Sequence, residues 1–293
     1  MIGTNTVASW SFYRSGGAIN ESASSIFEMP NAEEYYFCFC DIRDVLEGKT
    51  EGKKVIYCDC MEPDSACSPP EEISDRRNDL HLVLSRRKDV LSNCEGSVMF
   101  PFGNSWLEKE NHHLLWEDKK PSISFTSTSK FNPGSDGYQI RHIVVQNLSM
   151  IKSVSSLPFY YYGSSRLPLM PDTFDHTLAE HRDPMFEHMF HLAVENTRCD
   201  NYFTEKLVDC FISKTVPIYF GTDDVSDFFN TDGMILVRTP EDILEALSNL
   251  TPEDYDRMKT PIEENYSEAR KYCWENGVLE RIGRVLKSEE EKS

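Results

Sequence analysis

The chain has 293 residues, with Lys+Arg 30 against Asp+Glu 49, a formal charge of −19 and a pI near 4.8. That acidic excess argues against a nucleic-acid binder, which needs surplus Lys and Arg to displace counterions from phosphates. A hydrophobic fraction of 39% and an aromatic fraction of 12% describe a globular chain long enough for one large or two medium cores.

No run approaches the roughly 20 apolar residues of a membrane helix, and the start MIGTNTVASWSFYRSGG lacks the charged end and apolar stretch of a signal peptide. A cytoplasmic protein without a membrane span is expected, in the host cytoplasm if a virus encodes it. The nine cysteines are odd in number and not spaced as a disulfide framework, so reduced thiols are expected. The Asn-x-Ser/Thr sequons at Asn20, Asn147, Asn249 and Asn265 carry no weight without an export signal.

In chain order, TVASWSF, EYYFCFC, KKVIYCDC and DLHLVLS read as strands, because aromatic and β-branched residues cluster between polar breaks. Cys38/Cys40 and Cys58/Cys60 alternate at period two, so each pair is expected on one sheet face. A zinc site built from them with Cys67 is the lesser reading, since structural zinc favours Cys-x2-4-Cys turns. The polar run LEKENHHLLWEDKKP marks the expected domain junction, giving domains 1–119 and 120–293, with the last helix a candidate to return to the first. SISFTSTS resumes as a strand. GSDGYQIRHIVVQNLSMI carries a helical stripe at Ile140, Ile143, Val144, Leu148 and Ile151 after a Gly/Ser/Asp-rich loop, with Arg141 in its first turns. SLPFYYYG is the next strand, followed by a long loop rich in Pro, Asp and His from Ser164 to Pro184.

MFHLAVENTRCDNYFTEKLVDCFISKTVPIYFG then reads as strand, polar loop, helix, strand and glycine turn, with Thr204 as the helix cap. A helix N-terminus after a strand offers N–H groups to an anion, and Lys206 in the first turn is unfavourable for the dipole unless it meets negative charge. Strands alternating with helices in both halves predict an α/β chain with parallel sheets.

The run EN-x5-Y-x-TEK-x7-S-K-TVPIYFG, continued by DFFNTDGMI, resembles the signature of the α1,3-fucosyltransferase family, family 10 of the glycosyltransferases. IRHIVVQNL resembles the family's Arg-bearing segment, and KVIYCDCMEPD with DLHLVLSRR is more faintly similar to its first-domain run. The resemblance implies a GT-B fold, two Rossmann-like domains facing across a cleft, and likens the chain to soluble bacterial or viral-type members. It further implies a nucleotide-sugar site formed by Arg141, Glu195, Asn196, Tyr202, Glu205 and Lys206. In that scheme Glu205 takes the ribose hydroxyls, Asn196 and Tyr202 line the nucleotide, and Arg141 and Lys206 neutralise the diphosphate.

By the same resemblance, Glu62 in CMEPDS corresponds to the catalytic base that takes the acceptor's proton, with Asp59, Asp64, Glu33 and Glu34 as neighbouring carboxylates. The expected reaction is inverting transfer of a sugar, L-fucose from GDP-fucose, to a hydroxyl of an oligosaccharide or glycan acceptor, with neither metal nor cofactor. The family's Ser-Asn pair appears here as FTSTSK, without the Asn. This leaves room for another donor, such as a UDP-pentose (UDP-xylose), or for a non-catalytic protein that binds a nucleotide sugar or carbohydrate. The rivals are poorer. Asp254-Tyr255-Asp256 follows Thr251-Pro252 and reads as a helix start rather than a metal-holding Asp-x-Asp, and no phosphate-binding P-loop occurs. His188 and His191 read as core or loop histidines.

Overall fold

The computed structural model describes residues 17–18, 35–59, 64–109, 112–164, 174–178 and 183–291. TVASWSF, Glu33, Glu34, Cys60, Glu62 and His181 lie outside the described residues. The chain divides into two compact units, residues 1–102 with 278–293, and residues 103–277.

The first unit is a five-stranded sheet in the order β1 (Gly17–Ala18), β2 (Tyr35–Phe39), β3 (Lys54–Cys58), β4 (Leu82–Ser85) and β5 (Val98–Met99), parallel except for the β1/β2 pair. Its period-two pattern is apolar on both faces, as a parallel sheet covered on both sides demands. Tyr35, Phe37, Ile56, Cys58, Leu82 and Leu84 pack with Val278, Ile282 and Leu286 of the final helix, α9 (Val278–Glu290). Cys38, Val55, Tyr57 and Val83 face the other way, towards Ile73 of α2 (Pro70–Asp75) and Val90 of α3 (Lys88–Asn93); the short α1 (Arg43–Leu46) adds Val45. Cys38 and Cys40 do not form the expected strand pair. Strand β2 stops at Phe39, and Cys40 turns into the left-handed region at φ 68°.

The second unit holds a six-stranded, all-parallel sheet in the order β11 (Ile235–Leu236), β10 (Val216–Phe220), β9 (His188–Val194), β6 (Lys120–Ser127), β7 (Phe159–Ser164) and β8 (His176–Leu178). From β6 the chain runs through α4 (Asp136–Gln146) and α5 (Leu148–Val154) to β7 on one side. From β9 it runs through α6 (Glu205–Ile212) to β10 on the other. The strand order therefore reverses between β6 and β9, and in an open α/β sheet ligands bind beyond the carboxyl ends of the strands at such a switch point. The helix ends at Asn147, whose Nδ2 and N both donate to Ile143 O, at 2.8 and 3.1 Å; Ile140, Val144, Leu148 and Ile151 are buried across the break, while Ile143, expected in the stripe, is exposed.

Residues 103–119, placed with the first half by the sequence reading, pack inside the second unit. Ser105 Oγ and Trp106 N donate to Asp209 Oδ1 at 2.6 and 3.0 Å, Trp116 Nε1 donates to Ile212 O at 3.0 Å, and Leu107 and Leu115 join the core. The remaining helices, α7 (Pro240–Asn249) and α8 (Pro252–Ala269), both start with a complete capping box, Thr239 with Asp242 and Thr251 with Asp254. Asp254 is thus occupied as a cap, and Tyr255 beside it is buried. The Asn265 sequon is closed by folding, because its side chain is buried and bonded to both backbone groups of Asn230.

His188 and His191 lie on the buried strand β9. Ser124 Oγ meets His191 Nδ1 at 2.8 Å, while His188 is held between Ser122 Oγ at 2.7 Å and Tyr162 Oη at 2.8 Å. Burial pushes the His188 imidazole down to about 4. A folded-state pKa below the unfolded value near 6.5 gives stability that is complete above 6.5 and lost as the pH falls towards 4. Urea unfolding between pH 7 and pH 4.5 is expected to show His188→Gln losing about 2 kcal/mol less than the wild type. Parallel pH profiles would refute the assignment.

Candidate active site

The carboxyl end of β9 is held by its neighbour, with Glu195 N donating to Phe220 O at 2.9 Å. Helix α4 lies directly against this end. An ideal Cβ on Gly137 would fall 1.8 Å from Glu195 O and 2.7 Å from Asn196 O, so only glycine permits the approach. One turn on, Arg141 is 7% exposed. Its Nε donates to Val194 O at 3.0 Å, and its Nη2 donates to the same carbonyl and to Asn196 Oδ1, the latter at 3.0 Å.

No carboxylate among the described residues lies within ion-pair distance of this guanidinium, and Nη1 has no hydrogen-bond partner among them. Burial pushes the Arg141 pKa down, while Glu195, Tyr138, Tyr202 and Glu205 act the other way from longer range. An arginine remains charged under such pressure. A buried cation without a paired anion is costly in a folded chain and marks a place where a ligand supplies the missing charge.

Glu195 is fully buried and faces inward. Its Oε1 accepts from Thr204 N at 2.8 Å, its Oε2 accepts from Thr204 Oγ1 at 2.7 Å, and Lys206 Nζ stands 3.5 Å from Oε2. Burial raises its pKa, and Lys206 and the Thr204 hydrogen bonds pull it back. Helix α6 begins at Thr204, whose Oγ1 accepts from Lys206 N. At this N-terminus the Thr204 and Lys206 N–H groups are met by the chain's own carboxylate and hydroxyl. Lys206 Nζ also lies 3.2 Å from Glu205 Oε1 and 3.1 Å from Thr204 Oγ1, which answers the question of a cation in the first turn. Glu205 is buried, and Tyr202 is fully buried with its carbonyl accepting from Tyr219 Oη at 3.5 Å. The structure thus gathers Arg141 with Asn196, and Glu195 with Glu205 and Lys206, around the end of β9.

In the first unit, Asp59 is buried at the end of β3. Its Oδ2 accepts from Ser85 Oγ at 2.9 Å, and its Oδ1 accepts from Arg86 N at 3.3 Å. Asp64 accepts from Arg86 Nη2 at 2.6 Å. The two carboxylates on either side of segment 60–63 are therefore engaged by one residue, Arg86. Among the described residues no group of three or more His, Cys, Asp or Glu is arranged to hold a metal ion, and no helix is long and apolar enough to cross a membrane.

Two features escaped the sequence reading. Asp136, at the first position of α4, accepts from Gly137 N at 2.9 Å and from Arg198 N at 3.0 Å. Asp223 gathers two arginines, Arg198 Nη2 at 2.9 Å and Arg238 Nε at 2.8 Å. The Ser-Asp-Gly run before the helical stripe was the available signal for the first; nothing in the sequence marked the second.

A crystal structure of an α1,3-fucosyltransferase with GDP-fucose is similar to this chain at a TM-score of 0.51 and 17% identity, over 81% of this chain and 75% of that one. At that identity the likeness speaks for the fold alone, which is the GT-B fold built from two Rossmann-like units. Residues 139–259 match the family model described as glycosyltransferase family 10 (fucosyltransferase) C-term. The matched stretch lies within the second unit and is similar to the C-terminal domain of that family. Among curated relatives, the chain is similar to the α-(1,3)-fucosyltransferase FucT of Helicobacter pylori, 25% identical over 48% of this chain and 29% of that protein. It is likewise similar to an α-(1,4)-fucosyltransferase of Arabidopsis thaliana, 27% identical over 52% of this chain and 37% of that one. The matched stretches thus span about a third of each relative's length.

Proposed function

We propose that the protein is an inverting glycosyltransferase that takes L-fucose from GDP-fucose and places it on a hydroxyl of a glycan acceptor. The observation that carries this reading is Arg141, a buried guanidinium without a carboxylate partner among the described residues, fixed at the switch point of a parallel sheet. A diphosphate leaving group gathers charge as the bond from the anomeric carbon to the phosphate oxygen breaks, and a cation fixed in advance in a dry site lowers that barrier.

In this scheme the acceptor oxygen attacks the anomeric carbon from the opposite side, its proton passes to a carboxylate, and the nucleoside diphosphate departs on Arg141 and Asn196. Lys206 supplies a second positive charge, although it also serves Glu195 and Glu205. Glu205 is the group proposed for the ribose hydroxyls, and Asn196 and Tyr202 are proposed to line the nucleotide. The inward-facing Glu195 contributes by holding Thr204 and Lys206. Glu62 is the base that the resemblance implies; of its neighbouring carboxylates, Asp59 is buried and bonded and Asp64 is tied to Arg86. The reaction is proposed to run without a metal. A GDP-sugar is favoured over a UDP-pentose by the named donor of the similar structure.

A thermal-shift panel of GDP, UDP, GDP-fucose and UDP-xylose tests the reading. A ligand that binds only the folded form adds about 2.7 kcal/mol of apparent stability at 100 times its Kd, a rise of a few degrees in a protein of this size. GDP and GDP-fucose are expected to give that rise and the uridine compounds a smaller one. In the same panel Glu62→Gln is expected to bind GDP as the wild type does yet transfer no sugar. The absence of a shift with any nucleotide would overturn the reading.

A further inference from the structure

We propose that Asp136 is a positioning residue for the donor's diphosphate, an inference that rests on the reading above. Arginine only donates hydrogen bonds, so the 3.0 Å bond from Arg141 Nη2 identifies the Asn196 atom facing it as the oxygen. The Asn196 amide cannot rotate without losing that bond, and its Nδ2 is therefore presented as a donor. Neither Nδ2 nor Arg141 Nη1 has a partner among the described residues. Together they form a fork of two donors suited to the oxygens of a phosphate.

The fork is assembled from two separate elements, Arg141 from α4 and Asn196 from the turn after β9, and its spacing depends on how those elements are joined. Asp136 makes the joint. Its Oδ1 receives both Gly137 N at 2.9 Å, within its own helix, and Arg198 N at 3.0 Å, in the turn that carries Asn196. Gly137 allows the close approach, and the carboxylate holds it. An aspartate at a helix start commonly serves its own helix through the dipole. That role does not call for the bond to Arg198, which is 62 residues away in sequence. An anionic latch beside an anion site also needs a reason, and the reason is that both of its donors are backbone N–H groups fixed in position.

Calorimetric titration with GDP, and separately with inorganic pyrophosphate, tests the proposal on the full chain. Asp136→Ala is expected to weaken GDP binding about 10-fold and to raise the donor KM by a similar factor, with kcat falling less than about 3-fold. Asp136→Asn, whose Oδ1 can accept the same two N–H groups, is expected to recover to within about 3-fold of the wild type. In an Asn196→Ala background, Asp136→Ala is expected to cost less than about 3-fold, because the group it positions is already gone. If Asp136→Ala fails to fold, the Asp136→Ser and Asp136→Asn pair supplies the same comparison. Reduced stability of the free protein with unchanged GDP affinity, or a full 10-fold loss in the Asn196→Ala background, would overturn the proposal. GDP binding that weakens in Arg141→Ala but not in Asp136→Ala overturns the positioning role alone. A wild type that binds neither GDP nor pyrophosphate overturns the functional reading and this proposal together.

Discussion

Replacing Arg141 with alanine is expected to weaken nucleoside diphosphate binding by at least about 100-fold, and kcat/KM by at least as much. Removing one member of a buried, hydrogen-bonded charge pair costs about 2–5 kcal/mol, and 100-fold corresponds to about 2.7 kcal/mol within that range. The prediction is this large because Arg141 spends none of its charge on a carboxylate within ion-pair distance among the described residues, so a bound diphosphate meets it without displacing a partner. Arg141→Lys is expected to recover little. A single ammonium cannot hold Val194 O and Asn196 Oδ1 from one plane while turning a third donor to the ligand. Arg141→Met separates binding from folding. It leaves Val194 O without its guanidinium donor, which costs about 1–3 kcal/mol, and relieves the burial of an unpaired charge, so the stability of the free protein should move by no more than about 2 kcal/mol. GDP affinity within about 3-fold of the wild type in Arg141→Met would sink the assignment.

Much of the scaffold around this residue was legible in the sequence because its cues are local. EYYFCFC, KKVIYCDC, FHLAV and TVPIYF carry the apolar and aromatic density of buried parallel strands, and Thr204 and Thr251 sit where helix starts were to be expected. What could not be read depends on partners distant in the chain. The run LEKENHHLLWEDKK looks like a linker because its charges outnumber its apolar residues, yet Leu115 is buried and the Trp116 indole finds Ile212 O. Asp136 was missed because its second partner is a backbone N–H, which no residue letter announces.

Lys206 shows the same limit in another form. Its position in the first turn of α6 correctly signalled a nearby anion, but the structure supplies that anion from within the chain, through Glu195 and Glu205. At the α6 N-terminus Glu195 likewise accepts from both Thr204 donors. Arg141 Nη1 and Asn196 Nδ2, at the end of β9, are donors without a partner among the described residues. The acidic excess of the chain fits this arrangement. A protein with a formal charge of −19 repels a diphosphate at long range, so the proposed site calls for a cation that the surrounding carboxylates do not neutralise.

Lys206→Ala is therefore expected to damage the protein twice. Donor turnover should fall by at least about 10-fold through loss of a charge-assisted contact. Stability at pH 7 should fall by about 2 kcal/mol, below the 3–5 kcal/mol of a fully buried pair because Lys206 keeps 21% of its side chain exposed. The second loss arises at Glu195, which is left buried without its nearest cation. Burial already raises the Glu195 pKa and Lys206 opposes that rise, so removing the lysine moves it further up. A carboxyl group with a raised folded-state pKa contributes stability that is present below the unfolded pKa near 4.5 and is lost as the pH rises through the folded value. The stability deficit of Lys206→Ala relative to the wild type should therefore be small near pH 4.5 and grow towards pH 7. Adding Glu195→Gln should remove the pH dependence and recover about half of the deficit, since the amide oxygen can still accept from Thr204 N. Urea unfolding of the four proteins of this cycle, followed across that pH range, checks the sign. A deficit that is constant with pH, or one that Glu195→Gln deepens at pH 7, would show that Lys206 does not compensate the buried carboxylate.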